Sequence, residues 1–192
     1  MEGKSYKKIL SDKYDAFSVE ENETKKSLLQ IEIQNVLRNV NNPDSEDFHI
    51  WGLTYYSINN EKEKNQNTNL ALERFLKAFE LDKSNFLACL YIAHCFHDKK
   101  EFKEALKYYE KVNQKELKKI QIWRYVKLIE QIGYCHFKLG RKEVGRQKFE
   151  EVLSWYKNKE IGEMAVPTEL IECLDESDQI VKEIKEIEDY LK

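Results

Sequence analysis

The chain has 192 residues, of which 41% are hydrophobic and 35% charged, with only six glycines and two prolines. So few turn-forming residues disfavour a many-stranded sandwich or barrel and leave no glycine-rich phosphate loop. The net charge of −3 disfavours a general nucleic-acid binder, and no apolar run approaches the roughly 20 residues of a membrane span. The small number of turn-forming residues favours a mostly helical protein. The start of the sequence carries no signal-like apolar stretch, so we expect the protein to be cytoplasmic.

Helical spacing of apolar residues begins at Thr24, after a polar segment that we expect to be irregular apart from a short helix. Asn41-Asn42-Pro43 ends the first helix, because the residue before a proline avoids the helical conformation. Three helix pairs with short connections follow, and a final helix begins after Asp178. The predicted helical segments before it are 24–41, 45–59, 68–81, 86–98, 102–113, 117–139, 142–157 and 168–174.

The three helix pairs repeat one pattern of small and large side chains. A small residue lies in the first helix of each pair, and another in the second helix is followed four positions later by an aromatic residue. Small residues let two helices approach closely, and large residues fill the space beside them. The small residues are Gly52, Ala93 and Gly133 in the first helices and Ala71, Ala105 and Gly145 in the second, and the aromatic residues are Phe75, Tyr109 and Phe149.

This pattern resembles the tetratricopeptide repeat, a helix–turn–helix unit with a period of about 34 residues. The resemblance covers residues 45–157 and is strongest over Leu90–Val112. It implies an all-α fold, in which antiparallel helix pairs stack as a short solenoid with flanking helices. We therefore expect an N-terminal segment (residues 1–44), three helix pairs (45–159) and C-terminal capping helices (160–192).

The sequence departs from the family pattern in three ways. The first helix of the third pair starts early, near Leu117, which adds a turn or two. A hydrophilic insertion, Glu61–Asn67, interrupts the first pair, and the proline that often ends a unit is replaced by Lys83, Leu117 and Lys157. These departures affect how regularly the pairs stack.

The resemblance also implies a concave groove lined by the first helices, and thus a non-catalytic adaptor or scaffold that binds a protein or peptide. Aromatic groove residues would supply affinity and charged or histidine residues specificity. The implied groove residues are His49, Leu53, Tyr56, Leu90, His94, His97, Asp98, Lys127, Glu130, Tyr134, Phe137 and Lys138.

One subgroup of the family binds acidic chaperone tails through a clamp of lysine and asparagine. The matching positions hold His49, Leu53, Tyr91, Lys127 and Gln131, and of these only Lys127 fits. The sequence therefore predicts no chaperone-tail clamp.

Metal binding and catalysis find little support in the sequence. His94 and His97, with Asp98 beside them, share a helix face, but a metal site needs three or four converging ligands. Cys135 and His136 are adjacent on a helix and point in different directions. There is no HExxH motif and no nucleophile elbow, so we expect neither an enzyme nor a bound cofactor or metal.

Two other partner classes follow from the charge distribution. The basic run from Lys99 to Lys157 contains aromatic residues that could stack on nucleic-acid bases, but interspersed glutamates dilute its charge, so we do not expect a nucleic-acid partner. The acidic C-terminal region, with Asp175, Glu176 and Asp178, suits an immunity-type inhibitor that covers the basic active site of an enzyme or toxin. This inhibitor is the alternative to the adaptor.

Overall fold

The computed structural model describes the backbone of residues 3–58, 63–158 and 166–191. Every regular element in these ranges is an α-helix, which confirms the all-α prediction. None of the described helices is long and apolar enough to cross a membrane. Glu61 and Lys62 of the predicted insertion, and the predicted boundary at residues 159–160, lie outside the described residues.

The chain forms two compact units, unit 1 (Met1–Lys99) and unit 2 (Lys100–Lys192). The helices of unit 1 are α1 (Gly3–Val19), α2 (Glu23–Arg38), α3 (Ser45–Tyr56), α4 (Lys64–Leu81) and α5 (Phe86–Asp98). Those of unit 2 are α6 (Phe102–Tyr109), α7 (Gln114–Ile120), α8 (Ile122–Lys138), α9 (Lys142–Tyr156), α10 (Thr168–Cys173) and α11 (Gln179–Leu191).

The glycine and aromatic residues of the sequence repeat contact each other in both units. In unit 1, a Cβ atom added to Gly52 of α3 would lie 2.5 Å from the Phe75 ring of α4. In unit 2, the same addition at Gly133 of α8 would lie 2.7 Å from the Phe149 ring of α9. Both rings are fully buried. The absence of a side chain at each glycine therefore permits the close approach of the two helices.

The N-terminal segment is more regular than the sequence analysis predicted, because α1 runs from Gly3 to Val19. Among its described side chains, Leu10 and Phe17 are buried, and they lie seven residues apart on one face of the helix. They join a core cluster with residues of α2 and α3, and this cluster consists of Leu10, Phe17, Ile33, Leu37 and Trp51. Packing on this cluster explains why the segment is helical.

Polar contacts also attach α1 to the first turn of α3. Asp44 caps α3 by accepting a hydrogen bond from the Asp47 backbone N–H (3.0 Å), and the Asp47 side chain accepts one from the Asp44 N–H (2.9 Å). The Lys7 ammonium lies 2.8 Å from the Asp44 carboxylate and 2.7 Å from that of Asp47, whose side chain is fully buried. The Lys7 ammonium therefore offsets part of the negative charge of both capping carboxylates.

The first helix of the third predicted pair is divided in two. The sequence predicts one helix over 117–139, whereas α7 ends at Ile120 and α8 begins at Ile122. Between them, Gln121 has an extended backbone, with φ −152° and ψ 92°. Leu117 of α7 is fully buried, so burial of this side chain holds α7 against its neighbours.

The C-terminal helices complete the core of unit 2. α10 packs on α8, and α11 packs on α9. The Arg146 side chain of α9 forms an ion pair with Asp178, which precedes α11. The buried residues of this core are Val126, Ile129, Phe149, Val152, Leu153, Leu170, Ile180, Val181 and Ile184.

Candidate functional site

The residues expected to line the groove fall into two sets, one in each unit. The unit 1 set lies on α3 and α5 and consists of His49, Leu53, Tyr56, Leu90, His94, His97 and Asp98. The unit 2 set lies on α8 and consists of Lys127, Glu130, Tyr134, Phe137 and Lys138.

Three half-buried rings pack together on α3 and α5. The Tyr56 ring centroid lies 5.5 Å from that of Tyr91 in an edge-to-face arrangement, and 6.4 Å from that of His94. Tyr91 and His94 are themselves 5.5 Å apart. The fully buried Phe75 of α4 lies beneath them, 5.1 Å from Tyr91, and His49 contacts Tyr91 at 5.6 Å. We call Tyr56, Tyr91 and His94 the aromatic cluster.

A hydrogen bond joins the C-terminal ends of α3 and α5. The Tyr56 hydroxyl donates to the Asp98 carboxylate oxygen Oδ2 over 2.9 Å. Burial of the phenol, together with the negative charge of Asp98, raises the pKa of Tyr56 above its usual value. The hydroxyl therefore stays protonated and acts as a donor throughout the physiological range.

A surface cavity of about 280 Å³ lies beside this hydrogen bond. It is formed by the end of α3, the start of α4 and the end of α5, so it belongs wholly to unit 1. The cavity is lined by Tyr55, Tyr56, Ser57, Ile58, Lys64, Asn67, Thr68 and Asp98. Among the described lining residues, the polar side-chain groups are hydroxyls, an amide, one carboxylate and one ammonium.

Other members of the unit 1 set are less accessible than the resemblance implies. Leu53 and Leu90 are buried, with 7% and 1% of their surface exposed, so they contribute to the core. His49 and His97 are half-buried. Within the unit 1 set, Asp98 is exposed, whereas Tyr56 and His94, like His49 and His97, are half-buried.

In unit 2, α10 contacts most of the expected groove residues of α8. The Tyr134 hydroxyl donates to Glu172 (3.0 Å), and the Lys138 ammonium donates to the same carboxylate (2.8 Å). The Lys127 ammonium forms an ion pair with Glu169. These α8 side chains thus bind an acidic helix of their own chain.

Glu130 lies beneath α10 with 2% of its surface exposed. It accepts hydrogen bonds from the Leu170 backbone N–H (3.0 Å) and the Lys127 ammonium (2.8 Å). Burial and the nearby charge of Glu169 raise the pKa of Glu130 to about 7, although Lys127 opposes this shift. Burial also acts to raise the pKa of Glu169, but contact with Lys127 outweighs it and the net shift is downward. One ammonium therefore contacts two carboxylates, that of the buried Glu130 and that of the half-buried Glu169.

The described residues contain no cluster of three or more histidine, cysteine, aspartate or glutamate side chains suited to a metal ion. Cys135 is fully buried, and burial raises the pKa of its thiol to about 12. A thiol with such a pKa is almost entirely protonated at neutral pH, so it is a poor nucleophile.

Sequence reasoning missed three contributors to these sites. Tyr91 was considered only as a clamp position, yet its spacing to His94 and Asp98, three and seven residues, places all three on one helix face. The cavity residues of α4 fall partly in the predicted insertion, where no helix was expected. The contact of Glu169 and Glu172 with α8 joins residues about 40 positions apart, for which the sequence carries no local signal.

No protein-family model and no curated protein sequence matches the chain. Among solved structures, the crystal structure of the MamA protein is similar, with a TM-score of 0.50 and 18% sequence identity. The match covers 84% of this chain and 85% of that one. MamA contains tetratricopeptide repeats, so the comparison supports a helical repeat fold of this type.

Proposed function

We propose that this chain is a non-catalytic cytoplasmic adaptor that binds a protein or peptide partner. Its contact surface in unit 1 is the aromatic cluster with Asp98, flanked by His49 and His97. The helical repeat fold supports the proposal, because stacked helix pairs offer extended surfaces for binding.

The observation that carries the proposal is the packing of the aromatic cluster. Rings that already contact one another lose little freedom when a ligand arrives, so less binding energy is spent on ordering them. Tyrosine is among the residues that contribute most to protein interfaces. The Tyr56–Asp98 hydrogen bond further fixes one ring of the cluster.

In the proposal, the unit 2 set contributes less to partner binding than the unit 1 set. α10 already contacts Lys127, Glu130 and Tyr134, and Glu172 pairs with Lys138. Phe137 is half-buried and packs 6.1 Å from Phe149. We therefore assign these residues to secondary contacts and assign the main contact to unit 1.

Selection of ligands from a random peptide library tests the proposal without knowledge of the natural partner. Peptides enriched by the wild-type chain should lose about tenfold or more in affinity on His94→Ala, as for a hot-spot residue. His136→Ala on α8 is the matched control and should leave the affinity unchanged. Circular dichroism checks that both variants keep their helices. Failure to enrich any peptide, or equal losses in both variants, would contradict the proposal.

The inhibitor alternative remains a prediction and depends on a different surface. Asp178 is already paired with Arg146, and it also accepts a hydrogen bond from the Ile180 N–H. The other two acids that the alternative names, Asp175 and Glu176, are exposed, and the side chain of Glu176 is 89% exposed. A partner bound through Glu176 rather than the aromatic cluster would favour the inhibitor.

A further inference from the structure

Asp98 presents a carboxylate oxygen that the fold leaves available to a ligand. The Tyr56 hydroxyl binds Oδ2, and in the described part of the chain no lysine or arginine forms an ion pair with Asp98. The residue is exposed and lines the unit 1 cavity. A carboxylate in this position attracts a cation that can donate hydrogen bonds to it.

Aromatic rings form the wall beside this carboxylate. Tyr55 and Tyr56 both line the cavity, and Tyr56 is held in place by its bond to Asp98 and its contact with Tyr91. A guanidinium or ammonium group gains energy when it lies over the face of such a ring. Ring and carboxylate together therefore favour the same class of ligand.

The size of the cavity suits one side chain. Its volume of about 280 Å³ lies just below the roughly 300–1,000 Å³ found for small-molecule sites. The end of a long side chain fits within this space, whereas a whole cofactor exceeds it.

We propose that the cavity binds the cationic end of an arginine or lysine side chain of a peptide partner, with Asp98 as its counter-ion. This inference rests on the proposed function, because it names the kind of side chain that the unit 1 contact surface would bind in a peptide partner. Lys64, which also lines the cavity, is exposed, and its ammonium repels the incoming cation. Neutralising Lys64 should therefore strengthen binding, whereas neutralising Asp98 should weaken it.

The test uses a small probe and the full chain. N-acetyl-L-arginine N-methylamide is titrated into the ¹⁵N-labelled protein, and amide chemical shifts are followed by NMR. The citrulline analogue, which replaces the guanidinium by a neutral urea of nearly the same shape, is the matched probe. The arginine probe should shift the resonances of Ser57, Asn67 and Asp98 in a saturable way, and the citrulline probe should not.

Substitutions test whether the Asp98 carboxylate binds the arginine probe. Asp98→Asn should weaken the arginine probe about tenfold, as the loss of a charge-assisted contact implies. Asp12→Asn on α1 makes the same charge change at an exposed position and should have no effect. Lys64→Gln should tighten binding about twofold to threefold, because a like charge is removed.

Each contrary result has a defined meaning. Equal binding of the arginine and citrulline probes, or unchanged binding in Asp98→Asn, would overturn the cation assignment. Weaker binding in Lys64→Gln would overturn it too, because Lys64 would then contact an anionic group of the ligand. Enriched peptides that need His94 but carry no basic residue would leave the proposed function standing while this inference fails. Arginine-specific shifts without any enriched peptide would support the cation site and contradict the proposed function.

Discussion

Glu130 and Glu169 compete for a single cation, the ammonium of Lys127. Both contact it, Glu130 at 2.8 Å, while α10 covers Glu130 from solvent. Two like charges in a buried site are unfavourable, so one of the two carboxylates takes up a proton more readily than usual. This carboxylate is Glu130, because burial and the charge of Glu169 raise its pKa to about 7.

This shift predicts how stability depends on pH. The folded state holds a proton on Glu130 up to about pH 7, whereas an ordinary glutamate loses it near 4.5. The folded state therefore binds more protons in this window, and the contribution of Glu130 to stability falls as pH rises from about 4.5 to 7. Glu130→Gln should remove this loss, which is about 3 kcal/mol for a pKa that rises from 4.5 to about 7.

Urea denaturation at a series of pH values measures the effect. The difference in unfolding free energy between Glu130→Gln and wild type should grow in favour of the variant from pH 4.5 to 7.5. Glu110→Gln, at an exposed position of unit 2, controls for loss of one negative charge. Parallel curves for wild type and Glu130→Gln would show that Glu130 titrates as an ordinary glutamate in the folded chain.

At the level of elements, α1 depends on one lysine as well as on its apolar face. Lys7 places its ammonium between two carboxylates that cap α3, one of them fully buried. Hydrogen bonds to these acids raise the pKa of Lys7, although burial acts against the shift. Removing the ammonium would leave the Asp47 charge buried with fewer partners, which is costly.

Lys7→Ala should therefore destabilise unit 1 by about 2 kcal/mol, since the pair is only partly exposed. Amide hydrogen exchange should accelerate along α1 and in the first turn of α3. Lys8→Ala is the matched control, because Lys8 is the neighbouring residue on the same helix and is exposed. If the two variants exchange alike, the contact of Lys7 with α3 does not hold α1 in place.

The helices could be predicted from the sequence where their own residues follow helical spacing or the repeat pattern. The Gly52–Phe75 and Gly133–Phe149 contacts follow directly from the aligned repeat. The full length of α1 was missed because its buried residues Leu10 and Phe17 are separated by two helical turns within a polar segment, in which only a short helix was expected. The break at Gln121 was missed because apolar spacing continues across it, with no proline or glycine to mark it.

The candidate site was predictable only in part, because its closing contacts join distant residues. Family geometry pointed to Tyr56, His94 and Asp98, and the structure brings Tyr56 into contact with both others. Family geometry did not predict that Glu169 and Glu172 of α10 contact α8. A six-residue helix has little periodicity of its own, and its position is determined by tertiary packing of Leu170.

At the level of the whole molecule, we assign partner binding to unit 1 and give α10 and α11 a role in the core of unit 2. The fold alone does not determine function, so this division depends on the chemistry of each surface. In unit 1, Tyr56 of the aromatic cluster and the Asp98 carboxylate line a cavity. In unit 2 the corresponding lysines and tyrosine are engaged by acids of α10.

The most direct test of this division is a hydrogen-exchange footprint of a library-selected peptide on the full chain. Amide exchange is compared with and without saturating peptide, over peptic fragments that cover both units. We expect slower exchange at the C-terminal ends of α3 and α5 and at the start of α4, with little change in residues 168–183. Protection confined to residues 175–183, around Glu176, with none on α3 or α5, would contradict this division and point to the acidic surface of the inhibitor alternative.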